Sequence, residues 1–174
     1  QGLDKLLEDK RMKSLFNMCM VMTTPDFWKE YFGYERVLIF QRDTAILRGG
    51  IEDFFEYDYV GAPCYNFVKD QTIQNGGFSL RNPRVMEYIC RLYGWNTDLQ
   101  DMMVVGQYSS ASFFAEDIFF CLRMIKHNAG KLAPLDVATR FSVESKFALG
   151  TLGYHRIDAY LTEDEQKAII EQYK

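Results

Sequence analysis

The chain has 174 residues, a net charge of −4, 48% hydrophobic residues and 25% charged residues. That length suits one globular domain with a sizeable core, and the composition excludes a disordered chain. Lysine and arginine are scattered, no apolar run reaches the length of a membrane span and no signal peptide is visible, so neither a nucleic-acid groove nor a membrane span is expected.

Aromatic residues make up 16%, with 14 Phe and 11 Tyr, which predicts a core of large side chains and a ring-lined cleft. Cys19, Cys64, Cys90 and Cys121 are widely spaced with no CxxC pair. Reduced thiols and a cytoplasmic location are therefore expected rather than a zinc or disulfide framework. His127 and His155 are the only histidines, which excludes a multi-histidine metal centre.

Leu3, Leu6, Leu7, Met12, Leu15, Phe16, Cys19 and Met20 recur at spacings of three and four, predicting a helix over 3–22. Thr24-Pro25 starts a short helix carrying Phe27, Trp28 and Tyr31. After Gly33 comes Val37-Leu-Ile-Phe40, a run suited to a strand buried on both faces, which ends abruptly in Gln41-Arg-Asp43-Thr44. Ile51 to Glu56 reads as one helical turn, and Tyr57 to Ala62 as a strand stopped by Pro63. The polar stretch from Cys64 to Gln74 reads as an irregular loop over a site.

Phe78 to Arg81 is a third strand, its alternation giving one polar and one buried face. Asn82-Pro83 opens a helix with Val85, Met86, Ile89, Cys90 and Tyr93 on one side. Asn96 to Ser112 reads as loop-rich. Ala115-Glu116-Asp117 opens a further helix ending near Asn128 and Gly130. Pro134 to Ala138 reads as irregular and Phe141 to Glu144 as a strand, and Thr162 to Glu165 is a capping box for a terminal helix. The alternation of strands and helices, uninterrupted by linker or repeat, predicts a single α/β domain over 1–174 with a mixed, mainly parallel sheet flanked by helices.

Four motifs can carry chemistry. Asp43, at the end of a buried strand, suits a divalent-ion ligand or a turn-capping acid. The Asn75-Gly76-Gly77-Phe78 stretch suits a hairpin turn or a close approach of backbone to ligand. Glu116-Asp117 can serve a helix dipole or provide a general base. His155 can be a hydrogen-bonded structural residue or, as neutral imidazole, a partner of Asp43 at a borderline ion.

In order and spacing these motifs resemble nucleotide-sugar glycosyltransferases of the GT-A type, closest to a family of uncharacterised microbial and viral glycosyltransferase-like domains. The resemblance runs through Thr24-Pro-Asp-Phe-Trp28, Leu38-Ile-Phe-Gln-Arg-Asp-Thr44, Tyr57-Asp-Tyr-Val-Gly-Ala-Pro63, Asn75-Gly-Gly-Phe-Ser-Leu-Arg81, Glu116-Asp117, Phe141-Ser-Val-Glu144 and Gly153-Tyr-His155. It implies a Rossmann-related fold and transfer of a sugar from a nucleotide-sugar donor to a carbohydrate or other hydroxyl acceptor. It also implies Mn²⁺ or Mg²⁺ held by Asp43 and His155.

By the same resemblance Asp117 is the base, with Glu116 orienting a sugar hydroxyl. Gln41, Asn75, Gly76, Gly77, Phe78 and Arg81 line the substrate. Gln41 stands where the first acid of a DxD motif would be, leaving Asp43 to carry the metal. The first convincing strand is preceded only by helices, so the opening βαβ segment of such folds lies upstream of Gln1 or is absent from a reduced fold. A non-catalytic carbohydrate- or nucleotide-binding module is the alternative. A metal-dependent phosphoester hydrolase needs more converging carboxylates than the sequence supplies.

Overall fold

The computed structural model describes residues 10–68, 71–98, 100 and 115–173. Residues 3–9 of the expected first helix and most of the expected loop over 96–112 lie outside these. Helix α1 spans Lys10–Met22 and α2 spans Pro25–Lys29, followed by strands β1 (Val37–Phe40) and β2 (Thr44–Ile46). A 3₁₀ turn over Ile51–Phe54 leads to β3 (Tyr59–Val68) and β4 (Gln71–Arg81). Then come α3 (Pro83–Leu92), α4 (Glu116–His127), α5 (Leu135–Phe141), β5 (Ser142–Val143), β6 (Gly153–His155) and α6 (Glu163–Glu171). Among the described residues, no helix is long and apolar enough to cross a membrane.

The described strands do not form the mixed, mainly parallel sheet expected. They form two three-stranded sheets, ordered β1-β4-β3 and β2-β6-β5, in which only β5 and β6 run parallel. Alternating strands and helices imply parallel crossovers only when successive strands lie side by side in one sheet. Here β3 pairs back onto β4 directly, and the later short strands go to a second sheet.

The stretch from Cys64 to Gln74, expected as a loop, is strand except at 69–70, which are not described. Pro63 does not stop β3, because β3 is an edge strand and the proline falls at a shift in register, where a missing N–H costs no regular ladder bond.

Central strand β4 is covered on both faces. On one side Tyr59 and Ile73 pack with Trp28, Met86, Ile89, Phe119 and Phe120 from the helices. On the other, Phe78 and Leu80 pack with Val60, Phe54, Val137 and Phe141. Each such side chain contributes about 1.5–3 kcal/mol when fully removed from water. β1 is half-buried rather than enclosed, because it is the other edge of this sheet.

Local signals explain the helix ends. Asn82 accepts from the Arg84 N–H ahead of Pro83, Asn128 takes a left-handed conformation after α4 (φ 52°), and Thr162 and Glu165 form the expected capping box.

Two features of the strands create a site. In the β3–β4 pairing Gly61 faces Ser79, but Pro63 faces Gln74, so Asn75 to Phe78 bulge out of the β3 ladder. The buried Gln74 side chain fills the gap, accepting from the Gly61 N–H (2.9 Å) and donating to the Ala133 carbonyl (2.6 Å). The second sheet supplies the other half. β5 and β6 are parallel with Val143 beside Tyr154, and β2 is antiparallel to β6 with Thr44 beside His155. Asp43, Glu144 and His155 therefore come to one end of that sheet.

Candidate functional site

His155 is 4% exposed and lies against the bulge. Gly77 makes this possible, since a side chain there would run into the imidazole ring. Gln41 donates its backbone N–H to the Gly77 carbonyl (2.8 Å), tying the end of β1 to the same spot. After His155 the chain turns through Arg156 in the left-handed region (φ 51°), and the Arg156 N–H bonds the Asp43 carbonyl at 2.9 Å. The bond fixes the position of Asp43 relative to the ring.

Three oxygens surround that ring. Nε2 is 3.4 Å from Asp43 Oδ1 and 3.3 Å from Gln41 Oε1, while Nδ1 is 3.2 Å from Glu144 Oε1. Two of these contacts are not formed hydrogen bonds: Asp43 Oδ1 and His155 Nδ1 are buried without one, so Glu144 stands at ion-pair distance but off the line of the ring N–H.

Glu144, 5% exposed, is itself well supported. It accepts from Asn75 Nδ2 (3.2 Å) and from Cys64 Sγ (3.1 Å). Burial, and then the Glu144 charge, push the Cys64 thiol well above its usual pKa, so it remains a donor. Asn75 also accepts from the Gly77 N–H through Oδ1 (2.6 Å), which holds the bulge shut.

Asp117 reaches the bulge from α4. Its Oδ2 accepts from the Gly76 N–H (3.2 Å) and its Oδ1 from the Ile118 N–H (2.7 Å). Burial and the neighbouring Glu116 carboxylate nevertheless push its pKa up to about 7.

Three of the expected substrate-facing residues are elsewhere. Arg81 is fully buried, with both oxygens of Glu116 at 2.8 and 3.0 Å and further bonds to Ser79 Oγ, Tyr59 Oη and the Gly76 carbonyl. Its guanidinium lies over the Tyr59 ring (4.7 Å) with Trp28 and Phe120 nearby. Neither Arg81 nor Glu116 is directed at a ligand; they satisfy one another on the helix side of β4. Phe78 is also sealed, stacked on Phe141 at 4.9 Å in the opposite core.

Gly76 and Gly77 do not form the hairpin turn considered from the sequence and have no positive φ; they lie inside β4. Their use is close approach. A side chain at Gly76 would meet Glu116 and Arg81, as one at Gly77 would meet His155.

A concavity of about 300 Å³ opens beside the cluster, lined by Arg42, Asp43, Thr44, Tyr154, Asp158 and Gln166 among others. It shares only Asp43 with the buried group. The Asp43 side chain is 36% exposed although its Oδ1 is buried, so it spans the boundary between solvent and the ring.

Among the described residues, no three His, Cys, Asp or Glu side chains form a ready-made metal cage. The groups that could hold an ion are Asp43 Oδ1, His155 Nε2 and the Gln41 amide oxygen. Adjacent ligands of an octahedral ion with bonds of about 2.1 Å stand about 3 Å apart, and the two oxygens stand 3.3 and 3.4 Å from Nε2, close to that spacing. The unpaired Asp43 Oδ1 is consistent with that use.

A family model described as "Protein of unknown function (DUF5672)" matches residues 4–171. The chain belongs to that family. No curated protein and no solved structure matches this DUF5672 chain.

Glu144 is the residue that motif reasoning did not single out, although it ends the quoted Phe141 to Glu144 stretch. An acid following a two-residue strand looks like a surface loop, and only the parallel pairing of β5 with β6 brings it to His155.

Proposed function

We propose that the protein is a glycosyltransferase that moves a sugar from a nucleoside-diphosphate sugar to an acceptor hydroxyl. One observation carries this reading: Asp43 Oδ1 and Gln41 Oε1 lie 3.4 and 3.3 Å from the same His155 Nε2, with the Asp43 oxygen buried and unbonded. The order of motifs shared with nucleotide-sugar glycosyltransferases supports it as well. Asp43, His155 and Gln41 would hold Mn²⁺ or Mg²⁺, with phosphate oxygens and water completing the set. Bound there, the ion would neutralise charge growing on the departing diphosphate.

The chain's own residues do the rest. The glycine bulge seats the His155 ring against β4 at Gly77, and Asn75 keeps that bulge in shape. Asp117 takes the proton of the acceptor hydroxyl while that oxygen bonds to the sugar's anomeric carbon and the diphosphate departs. A pKa of about 7 suits a base working near neutrality. A cytoplasmic location belongs to the same proposal and draws on four free cysteines.

Thermal shifts with Mn²⁺ and a panel of nucleoside diphosphates test the binding half. The expected result is stabilisation by nucleotide only when metal is present, lost in Asp43→Ala without unfolding. Nucleotide binding that survives Asp43→Ala sinks the metal role. For the base, Asp117→Asn should keep donor binding and lose transfer; unchanged turnover removes Asp117 from that role. A non-catalytic carbohydrate- or nucleotide-binding module is the second reading, favoured by one observation: both Asp117 oxygens already accept backbone N–H groups. Metal-dependent nucleotide binding with no transfer to any acceptor would select it.

A further inference from the structure

We propose that Glu144 is a positioning residue for His155, accepting the ring's Nδ1–H and so turning the Nε2 lone pair toward the gap shared with Asp43 and Gln41. The inference rests on the proposed metal site for its consequence, but its geometry stands apart from it.

A neutral imidazole has one N–H and one lone pair. Here it has acceptor oxygens on both sides: Asp43 and Gln41 at Nε2, and Glu144 at Nδ1. One neutral tautomer therefore leaves a lone pair facing Glu144, and the other leaves it facing Asp43 and Gln41. The two sides are unequal. Gln41 is an amide whose –NH₂ can rotate to face a lone pair, and Asp43 is partly exposed and can turn to solvent.

Glu144 has neither escape. It is 5% exposed and pinned by Asn75 and Cys64. Facing a lone pair with a buried carboxylate is the costlier arrangement, so the proton belongs on Nδ1. The present contact is 3.2 Å and off-line, so a small rotation of the ring or the carboxylate forms the bond. A carboxylate behind a ligating imidazole also raises its basicity, and removing such a partner weakens metal binding about 10- to 100-fold.

Two-bond ¹H–¹⁵N correlation of the His155 ring, in the metal-free full chain, reads the tautomer directly. The wild type should show Nδ1–H with Nε2 unprotonated. Glu144→Leu should move the proton to Nε2, and Glu144→Gln, which keeps an acceptor without charge, should give a mixture. Titration of Mn²⁺ alone, followed by the electron paramagnetic resonance of the free ion, should show about 10- to 100-fold weaker binding in Glu144→Leu and a smaller loss in Glu144→Gln. A wild-type ring protonated on Nε2, or a tautomer unchanged by Glu144→Leu, overturns the proposal. A wild type that binds no Mn²⁺ sinks the metal reading alone, while the tautomer measurement still decides the role of Glu144.

Discussion

Two buried charged clusters sit back to back across the β4 bulge, and they are built on opposite accounts of hydrogen bonding. Gly76 is cleared for one and Gly77 for the other. On the helix side Arg81 finds Glu116, Ser79, Tyr59 and the Gly76 carbonyl, while burial, which lowers its pKa, is more than offset by Glu116 and Tyr59, so the guanidinium stays charged. On the other side Asp43, Glu144 and Gln41 crowd one imidazole, and two polar atoms are left without hydrogen bonds. A satisfied network holds shape, whereas an unsatisfied one keeps capacity for something to bind. Burial alone does not distinguish structure from function here. Saturation does.

That contrast breaks most visibly at Arg81. Arg81→Met strands the Glu116 carboxylate in an aromatic box and should cost about 3–5 kcal/mol in urea unfolding. A loss below about 1 kcal/mol would show that the cluster is not the structural one. The variant Gly77→Ala sharpens the other side. The added methyl must displace the His155 ring, at a cost of about 1–3 kcal/mol, and should abolish Mn²⁺-dependent nucleotide binding. Retained binding would mean that the ring's seat on the glycine does not matter.

The most graded effect belongs to Asp117. Its folded-state pKa is raised, so the folded chain holds this proton more tightly than the unfolded one. The resulting stability is full below the unfolded value of about 4 and is lost as pH rises toward about 7. Asp117→Asn lacks this loss. Its melting temperature relative to wild type should therefore climb between about pH 5 and pH 8 by roughly 5–10 °C, since about two pKa units of linkage, about 2–3 kcal/mol, are given up over that range and about 1 kcal/mol shifts a domain of this size by about 2–4 °C. A pH-independent difference would contradict the buried environment.

Much of this was readable residue by residue. The capping box at Thr162 and Glu165, the Asn82-Pro83 start and the turn at Asn128 are local devices, and local spacing encodes them. Asp43 and His155 were recognisable as a pair, and the structure sets them 3.4 Å apart, with Gln41, expected only to line the substrate, 3.3 Å from the same ring nitrogen. Strand direction was not readable, because hydrophobic runs do not state their partners: Val37 to Phe40 gives no sign that it will meet Phe78 to Arg81 antiparallel. Arg81 misled for a related reason. An arginine alternating with apolar residues reads as solvent-facing, and only the aromatic helices above β4 turn that face into an interior. Asn75 to Phe78 looked like a turn because paired glycines permit one, whereas here they make room for side chains from other elements.

The bulge has one more consequence. Pairing with β3 resumes at Gln74 on one side and at Ser79 on the other, and β1 holds β4 only from Phe78 onward. Asn75 and Gly76 therefore belong to no ladder, and the distance the chain covers there is not dictated by the pleat. Residues could be gained or lost at this point without sliding any strand past its neighbour. The seat of the two charged clusters can change its outline while the scaffold keeps its register.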